Sequence, residues 1–288
     1  MSHSLQGLSV GDALGQAFFV NRGEPEPLVT GRLLPSTPWP WSDDTVMAVS
    51  IVEVLERHRR LDQDALAEAF ARRFLADTER GYGPMAYWLL HQLGAGQPWR
   101  EVSAQVFSGQ GSLGNGSAMR VAPLGAFFSE DLDRVQREAR ASSEVTHFHP
   151  DGIAGAEAVA LCTAELVRAD GGAINASAVL ERIANRVTAG DTREGIVKAV
   201  GLLGAEPAEA ARQLGDGSLV RCSDTVPFAL WCAVSSPASY DKAIWLALRG
   251  LLNPDSDRDT MLAIVGGIVG AVAPPPVSWL ECREPLPV

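Results

Sequence analysis

A chain of 288 residues that is 46% hydrophobic and 20% charged has the make-up of a folded globular protein, and no block of like charge marks a disordered tail. Its net charge of −11 repels long polyanions, and the nearest approach to a basic patch, Arg57-His58-Arg59-Arg60, fits the positive last turn of a helix, so no direct nucleic-acid binding is expected. The longest apolar run, Met261 to Ala273, is shorter than the roughly 18 to 20 residues that cross a bilayer and ends at Pro274-Pro275-Pro276, so no membrane partner is expected either.

The first fifteen residues, MSHSLQGLSVGDALG, lack the basic region and apolar core of a signal peptide. Cys162, Cys222, Cys232 and Cys282 stand far apart with no metal-ligand spacing, as thiols of a reducing compartment do, and a cytoplasmic location is expected. Asp12, in Gly11-Asp12-Ala13-Leu14-Gly15, fits either a turn or a buried supporting group. A long connection with five prolines follows, from Asn21 to Trp41. Val46, Val49, Val52 and Leu55 then recur at threes and fours, which predicts a helix over Asp43 to Arg60.

The same rhythm predicts helices over Asp64 to Asp77, Pro84 to Leu93, Asp131 to Ala141, Gly152 to Ala169, Ala176 to Thr188 and Thr192 to Leu203. Further helices are predicted over Thr225 to Val234, Ser239 to Leu251 and Asp259 to Ala271. In the last of these, the Gly266-x-x-x-Gly270 pair suits close packing of a buried helix. Strict alternation of the kind a half-buried strand needs is hard to find, so the expected fold is all-α, in a single domain spanning 1–288.

Two of the predicted helices begin alike. Ser42-Asp43-Asp44-Thr45 opens one, and Asp255-Ser256-Asp257-Arg258-Asp259-Thr260 opens the other. Taken singly, each reads as a cap, because hydroxyls and carboxylates satisfy the free N–H groups of a first turn. Taken together, the two could converge, and so many carboxylates in one place need a cation. Oxygen ligands without His or Cys suit Mg²⁺ or Mn²⁺.

Between them, Gly109 to Arg120 contains G-x-G-x-x-G but lacks the strand–turn–helix setting of a dinucleotide fingerprint. It remains a glycine-rich backbone able to approach a phosphate or a sugar. In the stretch Thr146 to Pro150, His147 and His149 fit caps or hydrogen-bonding groups as readily as ligands. Trp39, Trp41 and Trp88 suit core or lid positions.

In this order, Gly11-Asp12-Ala13-Leu14-Gly15, Ser42-Asp43-Asp44-Thr45, Gly114-Asn115-Gly116-Ser117-Ala118-Met119-Arg120, Thr146-His147 and Asp257-Arg258-Asp259-Thr260 resemble the motifs of the ADP-ribosylglycohydrolase family over residues 7 to about 271. The resemblance implies a compact orthogonal helical bundle around a site for two Mg²⁺ or Mn²⁺ ions. Its ligands would fall on Ser42, Asp43, Asp44, Asp257, Asp259 and Thr260. Gly114, Asn115, Gly116 and Ser117 would cradle the diphosphate and distal ribose, and His147 would touch the ligand.

The implied reaction is attack of water on the distal ribose C1″ of an ADP-ribosylated protein or of an ADP-ribose-containing small molecule, with Asp43 or Asp44 taking the water's proton. A monomer is expected. Phe18 and Phe19 stand where the enzymes for serine-linked ADP-ribose carry a glutamate, and Glu24 or Glu26 would be a poorly spaced substitute. That favours an N-glycosidic bond to arginine over an O-linked one.

Two departures bear on activity. Ser42 replaces the usual Thr, and Arg258 sets a bulky cation inside the second acidic motif, where it either points outward or displaces a metal's charge. The second case would leave an ADP-ribose-binding pseudoenzyme. The acidic clusters alone would also suit a different Mg²⁺-dependent hydrolase of nucleotides or phosphate esters.

Overall fold

Helix dominates the computed structural model, which describes residues 1–20 and 25–287. These residues form sixteen α-helices and two short 3₁₀ turns and no strand, only isolated bridges between Trp39 and Arg283 and between Gly114 and Arg221. The fold is therefore all-α. No helix among the described residues is long and apolar enough to cross a membrane.

All ten periodic segments are helical, with ends shifted by at most three residues, as for Asp43–His58, Pro150–Arg168 and Arg258–Gly270. Helices also form where no period is legible. Ser2–Val20 is apolar or small on nearly every side, and Pro25–Gly31 lies within the expected proline-rich connection. The short helices Trp99–Gln105, Ala122–Phe127, Pro207–Leu214 and Val277–Cys282 offer too few turns for a stripe to repeat.

The packing that shapes the site is that of the N-terminal helix, Ser2–Val20, against Arg258–Gly270. Gly7, Gly11 and Gly15 form a stripe at four-residue spacing that meets the second helix at Gly266 and Gly270, at Leu262 and Ala263, and at Arg258 and Asp259 in turn. A Cβ on Gly11 would lie 2.0 Å from the Leu262 carbonyl oxygen, and one on Gly7 would lie 2.2 Å from that of Gly266. Only bare backbone fits there, so the two helices touch along their length. The close approach ends at the N-terminus of the second helix, where a Cβ on Gly15 would lie 2.5 Å from the Asp259 Cα. Asp12 thereby comes within electrostatic reach of Asp259.

Candidate active site

Ser42 starts the helix Asp43–His58 as its N-cap, its Oγ accepting from the Asp44 N–H at 3.3 Å. The cap is itself held from the N-terminal helix. Asp12, fully buried, accepts from the Ser42 N–H, the Ser42 hydroxyl at 2.8 Å, the Thr45 N–H at 3.0 Å and the Thr45 hydroxyl. Asp12 is thus a buried supporting group within a helix, not a turn residue. From the other side, the Arg80 carbonyl accepts from the Asp43 N–H at 2.7 Å.

In the second acidic start, Asp257 occupies the N-cap position of Arg258–Gly270 but makes no side-chain cap bond. The Asn115 amide donates to Asp257 Oδ2 at 2.7 Å and to Thr225 Oγ1 at 3.0 Å, which ties the glycine-rich loop to this helix start. Arg258 turns away: its guanidinium donates to the carbonyls of Leu251, Asn253 and Pro254, in the loop before the helix. It does not line the cavity described next.

Both acidic starts open on one cavity of about 670 Å³, within the size range of small-molecule sites. Asp43, Asp44, Asp257, Asp259 and Thr260 line it, together with Gly114, Asn115, Gly116, Thr146, His147 and His149. Phe107, Leu219 and Val220, all exposed, belong to its rim. Arg221 is the one Arg or Lys among its lining residues. Ser42 and Ser117 do not line it. The Ser42 hydroxyl faces Asp12 and Asp44, and that of Ser117 donates to the Gly152 carbonyl at 3.0 Å. His149 caps the helix Pro150–Arg168, its Nδ1 accepting from the Asp151 N–H at 3.1 Å, while His147 is buried beside the glycine loop.

The electrostatics are those of crowded acids. Burial, then the neighbouring Asp12 and Asp257, pushes the Asp43 carboxyl up to about 8. Burial and the surrounding carboxylates carry Asp44 and Asp257 well above the usual range, and burial lifts Asp12 and Asp259 to about 6. Two local facts agree. The single Ser42 proton faces Asp12 at 2.8 Å and Asp44 at 2.9 Å, and it can serve only one of them. Asp257 and Asp259 stand close enough that the charge of Asp259 helps to raise the Asp257 carboxyl.

Among the described residues, no three His, Cys, Asp or Glu side chains surround a common point as a preformed ion cage. The acidic groups face one another as two pairs, and Asp44 Oδ1 is buried with no hydrogen-bond partner. An all-oxygen donor set with an orphaned carboxylate oxygen fits a hard divalent cation in place of the protons.

Arg120 is a site residue that the sequence reading quoted but gave no role. It is fully buried, stacks over the Phe70 ring at 4.6 Å and supplies positive charge near Asp43. Its place at the end of the Gly114 to Arg120 motif was the available signal, since a charge rarely follows an apolar Ala-Met pair into a core without a task.

The fold and the chain's relatives agree with this geometry. A solved structure described as an ADP-ribosylglycohydrolase-related protein complex superposes with a TM-score of 0.68 over 98% of this chain and 90% of its own, at 22% identity, which shows the shared fold. A protein of Archaeoglobus fulgidus is 31% identical over 286 residues, 96% of this chain and 88% of the relative. ADP-ribosylhydrolase ARH3 of Mus musculus is 27% identical over 91% of this chain and 77% of its own. ADP-ribosylarginine hydrolase Tri1 of Pseudomonas putida is 26% identical over 96% and 72%. Since the model of the ADP-ribosylglycohydrolase family matches residues 2–282, nearly the whole chain, the protein belongs to that family.

Proposed function

We propose that the protein is a divalent-metal-dependent ADP-ribosylhydrolase that cleaves the N-glycosidic bond between ADP-ribose and protein arginine. The observation that carries this reading is that both acidic helix starts and the Gly114–Gly116 loop line one cavity. Asp43, Asp44, Asp257, Asp259 and Thr260 would hold Mg²⁺ or Mn²⁺, one ion or two, while Ser42, whose hydroxyl is turned to Asp12 and Asp44, would orient Asp44. When bound, the metal supplies a template for the distal ribose hydroxyls and Lewis acidity beside C1″.

The protein's own groups do the rest. The backbone of Gly114 and Gly116 offers close approach to the diphosphate, and Arg221 places a positive charge on the wall of the same cavity. Asp43 or Asp44 takes a proton from the attacking water as its oxygen bonds to C1″, the C1″–N bond breaks with its electron pair passing to the guanidine nitrogen, and the carboxyl then returns that proton to the departing guanidine. This base must be ionised, whereas burial and the neighbouring carboxylates favour the protonated form of Asp43 and Asp44, so a cation in place of their protons would favour the base.

Three observations support the finer points. Phe18 is buried and Glu26 is exposed and does not line the cavity, so neither supplies the glutamate of serine-type enzymes, while Glu24 lies outside the described residues. A relative named as an ADP-ribosylarginine hydrolase matches 96% of the chain. Arg258 is turned to backbone carbonyls, which removes the ground for reading the protein as a pseudoenzyme.

The test is release of ADP-ribose from an arginine-modified peptide with Mg²⁺ or Mn²⁺, run beside a serine-modified peptide. Turnover on arginine that falls at least about 100-fold in Asp44→Ala is the expected result. Preference for the serine peptide overturns the linkage, and identical rates for wild type and Asp44→Ala overturn the site.

A further inference from the structure

The exposed apolar side chains, the shallow depression around Arg168 and Arg186, and the half-exposed Arg140 paired with buried Glu157 point to no ligand. A chain of three buried groups behind the glycine loop carries more. Arg120 Nη2 donates to the Thr146 hydroxyl at 2.9 Å, and that hydroxyl stands 2.7 Å from His147 Nδ1. Arg120 is held in place by a second bond from Nη2 to the Ser142 carbonyl at 2.9 Å and by the Phe70 ring.

Hydrogen-bond arithmetic fixes the direction of this chain. A guanidinium has only donors, so the Thr146 oxygen accepts from Arg120. The hydroxyl owns one proton, and its other partner is His147 Nδ1. If Nδ1 carried a hydrogen, Thr146 would accept twice and its own proton would lose the protein acceptor that Nδ1 offers and be left to the cavity that Thr146 lines. With the Thr146 proton on Nδ1, the hydroxyl and Nδ1 each have their partner, and the ring's own hydrogen sits on Nε2.

That nitrogen faces the ligand loop. A Cβ on Gly116 would lie 3.1 Å from His147 Nε2, and one on Gly114 would lie 3.4 Å from it. Burial, then the charge of Arg120, holds the imidazole at about 3, so the ring is neutral at physiological pH.

We propose that Arg120, acting through Thr146, locks His147 in the Nε2–H tautomer, so that His147 is a permanent neutral hydrogen-bond donor to an oxygen of the ligand held against Gly114–Gly116 and never the base of the reaction. Arg120 and Thr146 are positioning residues. The functional half of this inference rests on the reading of the cavity as an ADP-ribose site, whereas the tautomer stands on the ligand-free protein.

The experiment is ¹⁵N NMR of the histidine ring nitrogens, assigned with His147→Asn, alongside calorimetric titration with ADP-ribose. Wild type is expected to show a protonated Nε2 and a hydrogen-bonded, unprotonated Nδ1. Thr146→Val should move Nδ1 to the frequency of an acceptor without a partner and weaken ADP-ribose about 5- to 10-fold, with Thr146→Ser restoring both. Arg120→Met, if it folds, should let Thr146 accept from an Nδ1–H and populate that tautomer.

A wild-type ring protonated at Nδ1 overturns the proposal whatever the protein binds. So does a Thr146→Val protein whose Nδ1 frequency and ADP-ribose affinity both match wild type. A wild type with the expected tautomer and no affinity for ADP-ribose overturns the functional half and the reading of the cavity, and leaves the lock in place.

Discussion

Asp12, Asp43 and Asp259 carry carboxyls pushed up to about 6, 8 and 6, against about 3.9 for an aspartate in an unfolded chain. Over that window the metal-free folded state holds more protons than the unfolded one. Stability from these groups is therefore present below about pH 4 and lost as pH rises toward about 8. A divalent ion that replaces the protons should reverse the trend. In chelator, the melting temperature is expected to fall between pH 5 and pH 8, and Mg²⁺ or Mn²⁺ should raise it more at pH 8 than at pH 5. Asp43→Asn should flatten the slope in chelator. A cation effect that is the same at both pH values would remove the case for a carboxylate-bound metal.

At this scale the sequence was informative about type and poor about direction. The two acidic clusters were legible as candidate ligands, and they do meet at one cavity. What pattern could not convey is where a side chain turns. Arg258 reads as an intruder in a cation site, yet its guanidinium serves three backbone carbonyls. Ser117 reads as a ligand contact, yet its hydroxyl fastens the loop to Gly152. His147 and His149 read alike and both line the cavity, yet only the fold shows that His149 spends its Nδ1 on a helix cap while His147 is buried against the glycine loop.

Among the elements, the helix that matters most for the site was the least legible. Ser2–Val20 is packed on several sides, so its sequence shows small and apolar residues without a stripe, and periodicity has nothing to detect. Its signal was the glycine spacing, Gly7, Gly11 and Gly15, matched by Gly266 and Gly270. Gly11→Ala should cost about 1 to 3 kcal/mol or more, since a Cβ 2.0 Å from the Leu262 carbonyl forces the two helices apart. It should also weaken metal binding, because the same contact sets Asp12 and the Asp257–Asp259 pair together. Gly201→Ala, at a helix end with open space around it, is the control and should be neutral or stabilising by up to about 1 kcal/mol. Denaturant titration reads both, and equal effects at the two glycines would refute the packing account.

A second element-scale brace comes from the C-terminal segment. Arg80 forms paired bonds to Glu284 at 2.9 and 3.0 Å and lies over the Trp41 ring at 3.7 Å, while its carbonyl holds the start of Asp43–His58. The ion pair is partly exposed, so Glu284→Ala should cost no more than about 1 kcal/mol. Arg80→Ala also loses the stacking on Trp41, and it should lower stability and divalent-ion affinity more than Glu284→Ala does. Calorimetric melting and metal titration of the two variants check the order, and a larger loss from Glu284→Ala would place the brace elsewhere.

For the molecule as a whole, a net charge of −11 opposes an anionic ligand, and the cavity adds two acidic pairs to that field. Two features offset it: the cation the carboxylates call for, and Arg221, which among the described residues gives the cavity wall its one Arg or Lys charge. If Arg221 engages the diphosphate, its attraction is exposed to solvent and therefore screened by salt. With Mg²⁺ saturating, wild-type affinity for ADP-ribose should fall between about 50 and 500 mM NaCl, across which the screening length shrinks from roughly 14 to 4 Å. Arg221→Ala should bind about 5- to 10-fold more weakly at the lower salt, consistent with loss of a charged hydrogen bond, and should respond less to added salt. The two titration curves should thus converge at high salt. Parallel curves would mean that Arg221 adds no charge–charge attraction, and that the cation and the backbone N–H groups of the glycine loop hold the diphosphate without it.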